Sequence, residues 1–316
     1  TYYPPRKSPK ECYEQIIADL TDAEKYAPDN DNSDRTKMTK TVAQAMLAKV
    51  YAEKEVQDYD KVITYADKVI KTKGVELEDS YETLWGYDET TKDCLKRNTK
   101  EGILEVHWTT GGGNWETWMF GRQLDNWDFY FTWAKWITPS RDIISDFEKE
   151  GDEIRKNQAI VYYACTWSNY YPASHYPFMY KLRSSYSNIY WIRLADIILM
   201  KAEAEAYKGN LDESAKLVNQ IRKRAKLKEL TSDKTNSKEA MIEAVLHERR
   251  LELAFEGERW FDLCRNNKVE KYLNGIDNRD NGRIKQVKQF DSNSYLLPIP
   301  QTALDQNTNL EQNPGY

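Results

Sequence analysis

The sequence predicts a mainly α fold, in which tetratricopeptide-like helical hairpins carry a large irregular, aromatic-rich loop region. Three observations lead there. Apolar residues recur at three- and four-residue spacing over both ends of the chain. Two segments repeat one pattern: Ala48 and Tyr51 before Asp58-Tyr59 and Val62, and Ala202 and Ala206 before Asn210-Leu211 and Ala215. Small residues on a first helix, a short turn and an aliphatic second helix are how such hairpins pack, and hairpins of this kind must stack on neighbours. Finally, 22 of the 40 aromatic residues lie between Trp108 and Trp191, where helical periodicity fades.

The elements follow in three zones of a single unit. In residues 1–74, Ser8-Pro9-Lys10-Glu11 opens a helix, with a cap, Pro in the first turn and Glu three after the cap. Tyr13, Ile16, Ile17, Leu20 and Ala23 make its apolar stripe. After the polar loop Asp29 to Asp34, a second helix runs from about Thr41 with Ala43, Met46, Leu47, Val50 and Tyr51 inward. A third carries Tyr59, Val62, Ile63, Ala66, Val69 and Ile70 and is predicted to stop at Gly74 as a C-cap. In residues 75–190, only a short strand at 103–108 and one helix opened by Thr138-Pro139, with Ile143, Ile144 and Phe147 as its stripe, stand out. Residues 191–316 are helical again. Arg193 to Tyr207 pairs with a helix bearing Leu211, Ala215, Leu217, Val218 and Ile221, and Asn236 with Glu239 caps a long helix reaching Leu253 and Trp260.

Composition narrows the function. At about 150 residues per domain, 316 residues allow two units or one large one. A net charge of −5 argues against a basic nucleic-acid binder. A mean hydropathy of −0.84 and the lack of a bilayer-length apolar run argue against a polytopic membrane protein. With 40% hydrophobic residues, disorder is excluded too. The chain starts at Thr1 without an apolar leader, which reads as a processed or trimmed product. Cys12, Cys94, Cys165 and Cys264 lie far apart and only three His are present, so no structural zinc spacing exists. Cys12 and Cys264, in helical patterns, are predicted to be buried free thiols.

Catalytic and cofactor motifs fail on inspection, and the sequence calls for no cofactor, metal or catalytic residue. His247-Glu248 begins a metalloprotease pattern whose second His is Leu251. Gly111-Gly112-Gly113 lacks the Gly-Lys-Ser/Thr of a phosphate loop and is better read as a hinge presenting Trp115 and Trp118. The Asp29–Asp34 loop resembles part of a calcium loop, but has Asp where Gly is needed and Lys40 where the bidentate Glu belongs; a solvated loop is favoured, and calcium stays open. No serine-histidine triad or dinucleotide fingerprint is present.

At Arg193 the chain becomes recognisable. Residues 193–207 (RLADIILMKAEAEAY), 247–263 (HERRLELAFEGERWFDL) and 295–316 (YLLPIPQTALDQNTNLEQNPGY), with the opening Tyr3-Pro4-Pro5 and residues 9–24, together resemble the SusD/RagB family. The resemblance implies a lipid-anchored, nonenzymatic glycan-binding protein on the outer face of a Gram-negative outer membrane, handing oligosaccharides to a TonB-dependent, SusC-like transporter. It implies a helical SusD-like scaffold, and it makes Glu248, Arg249, Arg250, Glu252, Glu256 and Arg259 a helix-borne ion-pair network. Family members carry a substantial segment before the Tyr-Pro-Pro stretch, which includes the lipidated Cys; the expectation is that this chain is the larger C-terminal portion.

The predicted binding residues sit in the aromatic zone. Trp and Tyr faces cover the C–H side of a sugar, and their N–H or O–H can bond a hydroxyl. Trp115, Trp118, Trp127, Trp133 and Trp167 lie in loop-like sequence, with Asn114, Arg122 and Asp128 as the polar partners and Asp125, Asn126 and Asn169 beside them. Each ring could instead fill an irregular core. Trp136, Trp191 and Trp260 are predicted to be structural. Two other functions stay in play: a helical-repeat module whose ligand is a protein, and a glycoside hydrolase.

Overall fold

A computed structural model describes residues 3–88, 90–91, 93–108, 137–165, 170–184, 186–276 and 288–316. Helix α1 (Pro9–Tyr26) starts on the predicted capping box: Ser8 Oγ accepts from the Glu11 N–H at 3.2 Å, and Glu11 Oε2 accepts from the Ser8 N–H at 3.1 Å. None of its residues is fully buried, so α1 lies on the outside, against α2. Cys12, off the half-buried Tyr13-Ile17-Leu20 line, is exposed rather than buried; Cys264 is half-buried, and Cys165 is the buried thiol.

The predicted hairpins form. Helix α2 (Lys40–Ala52) buries Val42, Ala45, Leu47 and Ala48, and α3 (Tyr59–Ile70), capped by the Asp58 side chain, buries Val62, Tyr65, Ala66 and Val69. Small residues on α2 allow the close approach, which leaves the longer Met46 and Val50 only half-buried. Helix α3 ends at Ile70. Gly74, at φ +81°, instead turns the following loop against Asn32, whose side chain lies where a Cβ would stand.

The short α4 (Tyr81–Trp85) follows, then β1 (Tyr87–Asp88), β2 (Asp93–Cys94) and β3 (Gly102–Val106). Helix α5 (Arg141–Glu150) begins on Ser140, not Thr138-Pro139: the Ser140 hydroxyl accepts from the Ile143 N–H at 3.3 Å. Helix α6 (Glu153–Ala159) leads into β4 (Ile160–Tyr163), which pairs antiparallel with β5 (Tyr176–Met179). Strand β6 (Ile189–Arg193) pairs antiparallel with β3, Val106 opposite Ile189 and Gly102 opposite Arg193, with irregular register between. These last three strands were not predicted; they are four or five residues long and drawn mostly from aromatic-rich sequence whose pairing partners are remote.

Strand β6 runs directly into α7 (Leu194–Lys208), so Arg193 belongs to the strand. Gly209 at φ +85° caps α7, and α8 (Leu211–Arg224) packs back on it. Helix α2 packs on α3, α3 on α7, and α7 on both α8 and α9 (Lys238–Glu252). Their shared core includes Leu47, Val69, Ile197, Leu199, Val218, Ile221, Met241 and Val245. The cap of α9 is Ser237, whose hydroxyl accepts from the Ala240 N–H at 3.2 Å; Asn236 is already helical at the end of the preceding turn. The helix also stops earlier than predicted. Phe255 (φ +65°) and Gly257 (φ +86°) turn the chain, and Trp260 sits on the separate α10 (Arg259–Arg265), followed by α11 (Val269–Leu273).

The ion-pair network is structural, but it is not borne along one helix. Glu252 is fully buried and accepts from Arg193 (2.6 Å), Arg155 (3.1 Å) and Arg224. Glu248 takes Arg155 (2.7 Å) and Arg222 (3.0 Å), Glu256 takes Arg193 (2.6 Å) and Lys181 (2.5 Å), and Arg249 holds Asp196 (2.7 Å) and Asp262 (2.9 Å). The side chains face inward, so their partners come from α6, α7, α8, α10, β6 and the residues between β5 and β6. Burial alone would push the Glu252 carboxyl up; the charges of Arg224, Arg193 and Arg155 outweigh it and hold the group well below the usual carboxylate range.

Candidate functional site

An open cleft of about 700 Å³ lies where β6, α2 and the turn after α9 meet. Strand periodicity positions its most conspicuous side chain. Along β6, Tyr190 and Ile192 are buried while Trp191 is 65% exposed, so a large indole face meets solvent at the cleft. Trp191 was predicted to be structural; the structure corrects this. Met46 and Val50 of α2, Met38 before it, and Phe255 complete an apolar wall.

The polar groups are few. Trp85, at the end of α4, packs edge-on to Tyr190 with centroids 5.1 Å apart. Its ring is 5% exposed and its Nε1–H has no hydrogen-bond partner. Asn188, 3% exposed, donates from Nδ2 to the Lys96 carbonyl at 3.1 Å, which directs Oδ1 to be the acceptor; that oxygen has no partner either. A buried donor or acceptor left unmade costs about 1–3 kcal/mol, so such groups call for a ligand or water. Lys181 bonds Glu256 Oε1 at 2.5 Å and lies 4.7 Å from the Trp85 ring centre; burial pushes its ammonium down to about 8 against the pull of Glu256. Lys49, at another edge, is held by Asp196 (2.6 Å) and Glu258 (2.8 Å). The cleft therefore presents an exposed indole face on an apolar wall, while the two unpartnered polar atoms of Trp85 and Asn188 are closed to solvent.

The predicted binding residues Asn114, Trp115, Trp118, Arg122, Trp127, Asp128, Trp133 and Trp167 lie outside the described residues, as do Asp125, Asn126, Trp136 and Asn169. Sequence reasoning did not single out Trp85 and Asn188. Ile189-Tyr190-Trp191-Ile192 is apolar throughout, so no alternation in the sequence marks Trp191 as exposed. The Asp29–Asp34 loop is organised from within: Asp31 accepts from the Ser33 N–H (2.9 Å) and pairs with Lys37 (2.9 Å), while Arg35 donates to Asn30, Asn32 and the Gly74 carbonyl. Among the described residues no group of three or more His, Cys, Asp and Glu could hold a metal. His247 pairs with Glu150 at 3.1 Å.

Known proteins share both sequence and outline. A sequence model of the SusD family matches residues 18–316. The chain is 27% identical over 344 aligned residues to the SusD-like protein P2 of Formosa agariphila, covering 98% of this chain and 66% of that protein, just under two thirds of its length. A SusD superfamily protein from Bacteroides vulgatus superposes with a TM-score of 0.77 at 23% identity, over 99% of this chain and 70% of that one. A structure described as a laminarin-binding SusD-like protein gives 0.72 at 24% identity, over 98% and 70%. At these identities the structural likeness speaks for the fold.

Proposed function

Since the chain belongs to the SusD family, we propose that it binds oligo- or polysaccharide at the cell surface without cleaving it and passes the glycan to a TonB-dependent, SusC-like transporter. The observation that carries the reading is the exposed Trp191 indole on the wall of the cleft. A pyranose has an apolar C–H face to lie on the ring and hydroxyls that both give and accept hydrogen bonds. The loop tryptophans 115, 118, 127, 133 and 167 remain proposed contributors. Attachment to the outer membrane through a lipid belongs to the same proposal; among the described residues no helix is long and apolar enough to cross a membrane.

A fold neighbour is described as laminarin-binding, which makes a β-glucan the first ligand to try. Calorimetric titration of a polysaccharide panel into the protein and its Trp191→Ala variant tests the reading. Saturable binding of at least one glycan, weakened about tenfold in the variant, is expected. No binding to any glycan defeats it, and reducing-end release on incubation would show an enzyme instead.

One observation favours a second reading. Met38, Met46, Val50, Leu182 and Phe255 make the cleft wall apolar, which suits a segment of polypeptide at a helical-repeat surface. Binding of an amphipathic helical peptide at the cleft, with no glycan affinity, would select it.

A further inference from the structure

A second pocket, of about 440 Å³, lies behind the first. The turn carrying Phe255 and Gly257 lines both, so it is the wall between them. Phe255 holds φ +65°, a conformation that a bulky residue keeps only where its surroundings fix it.

Cations line this second pocket. Arg249 is neutralised by Asp196 and Asp262, and Arg250 by Asp142 (2.8 Å) and Asp146. Arg259 is different. It donates once, from NH1 to the Leu246 carbonyl at 3.1 Å, and lies 4.7 Å from the Tyr272 ring centre. Among the described residues no carboxylate pairs with it. Four of its five N–H groups are thus unspent. Burial pushes this guanidinium down to about 10, and the nearby Arg250 charge acts the same way. Asp262 and Asp146 act on this half-buried cation only through space, and its planar fork of donors suits an oxyanion. Trp260 and Tyr272 supply aromatic walls.

We propose that this pocket is an acidic-sugar subsite, in which Arg259 takes the singly charged oxyanion of a sugar ring, a uronate carboxylate or a sulfate ester, while neighbouring units of the same glycan continue past Phe255 into the cleft. The proposal rests on the glycan reading above. One spare guanidinium matches one negative charge, and two parallel N–H···O bonds to a carboxylate or sulfate are the strong form of that contact.

The test uses the 316-residue protein and calorimetry with three oligosaccharides of matched length: neutral laminari-oligosaccharide, oligogalacturonate and sulfated carrageenan oligosaccharide. The expected result is an acidic ligand bound about tenfold tighter than the neutral one, with the carboxylate and sulfate arms showing which oxyanion it is. Arg259→Gln should abolish that preference, and Arg259→Lys should recover only part of it, with thermal melts confirming that both variants are folded. Neutral glycan binding without any acidic preference overturns the subsite and leaves the glycan reading standing. A preference that survives in folded Arg259→Gln also overturns it. Failure of all three ligands overturns the subsite, and the glycan reading is then decided by the wider polysaccharide panel.

Discussion

Trp191 and Trp85 show how far single residues could be read. The sequence marks both as aromatic, yet exposure on a strand is decided by which face its partner covers, and β3 meets β6 from more than 80 residues away in the chain. A ring in a recognisable scaffold segment was therefore read as filler. Each of the two residues carries a prediction. Trp191→Ala removes an exposed ring, so the urea midpoint should stay within the equivalent of about 0.5 kcal/mol of wild type, while glycan affinity falls. Trp85→Phe keeps most of the buried ring and deletes an unpartnered donor. Its stability should hold or rise, because nothing in the fold partners that N–H, and the glycan titration shows whether a ligand reaches it. A stable Trp85→Phe protein with unchanged affinity would place the N–H outside the binding site.

At the scale of elements, the hairpins were legible because small residues, turn and aliphatic stripe all lie within one local window. Boundaries were less so. Asn236 and Ser237 are both good caps, and only the hydrogen bond to Ala240 decides between them. Ser237→Ala should cost about 1 kcal/mol and Asn236→Ala less than about 0.5 in equilibrium urea unfolding. The break after α9 was missed because Ala254-Phe255-Glu256-Gly257 holds no proline, and a phenylalanine with positive φ has no sequence signal. Gly74→Ala tests another left-handed position. A Cβ there would stand 2.1 Å from the Asn32 side chain at φ +81°, so a loss above about 1 kcal/mol is expected from the same unfolding assay. The tryptophan-rich stretch from Gly111 to Trp136 follows no helical or strand period, which is why composition pointed to it while sequence could not shape it.

Over the whole molecule, the buried charges matter more than the surface ones. Glu248 and Glu252 are legible in the sequence as members of a network along one helix, while Arg155, Arg193 and Arg224 are not, because sequence spacing reports neighbours on an element and not across a core. Glu252→Gln leaves three guanidiniums short of a counter-charge and should cost about 3–5 kcal/mol; Lys7→Ala, which breaks an exposed pair, should cost less than about 1. Acid should act through the same groups. The Glu252 carboxyl is held low against its own burial, and so is Asp196, by Lys49 and Arg249. Below their unfolded pKa values of about 4, the unfolded chain binds protons that the folded chain refuses. Their contribution is therefore complete at neutral pH and is lost as pH falls from about 5 toward the folded values. Urea midpoints should drop between pH 7 and about pH 3.5, and the drop should be smaller in Glu252→Gln.

Glu252 also bears on how such a sequence drifts over generations. An isolated pair such as Lys10 and Glu14 can be lost and regained, or inverted, by two successive exchanges with little harm in between. A carboxylate shared by Arg155, Arg193 and Arg224 has no such route, since replacing it breaks three ion pairs at once and leaves those cations to their other partners, Asp152, Glu248, Glu101 and Glu256. Positions 155, 193, 224 and 252 are thus expected to change together among relatives, which an alignment would show. The rim of the cleft, where Met38 and Trp191 face water, stays open to trial.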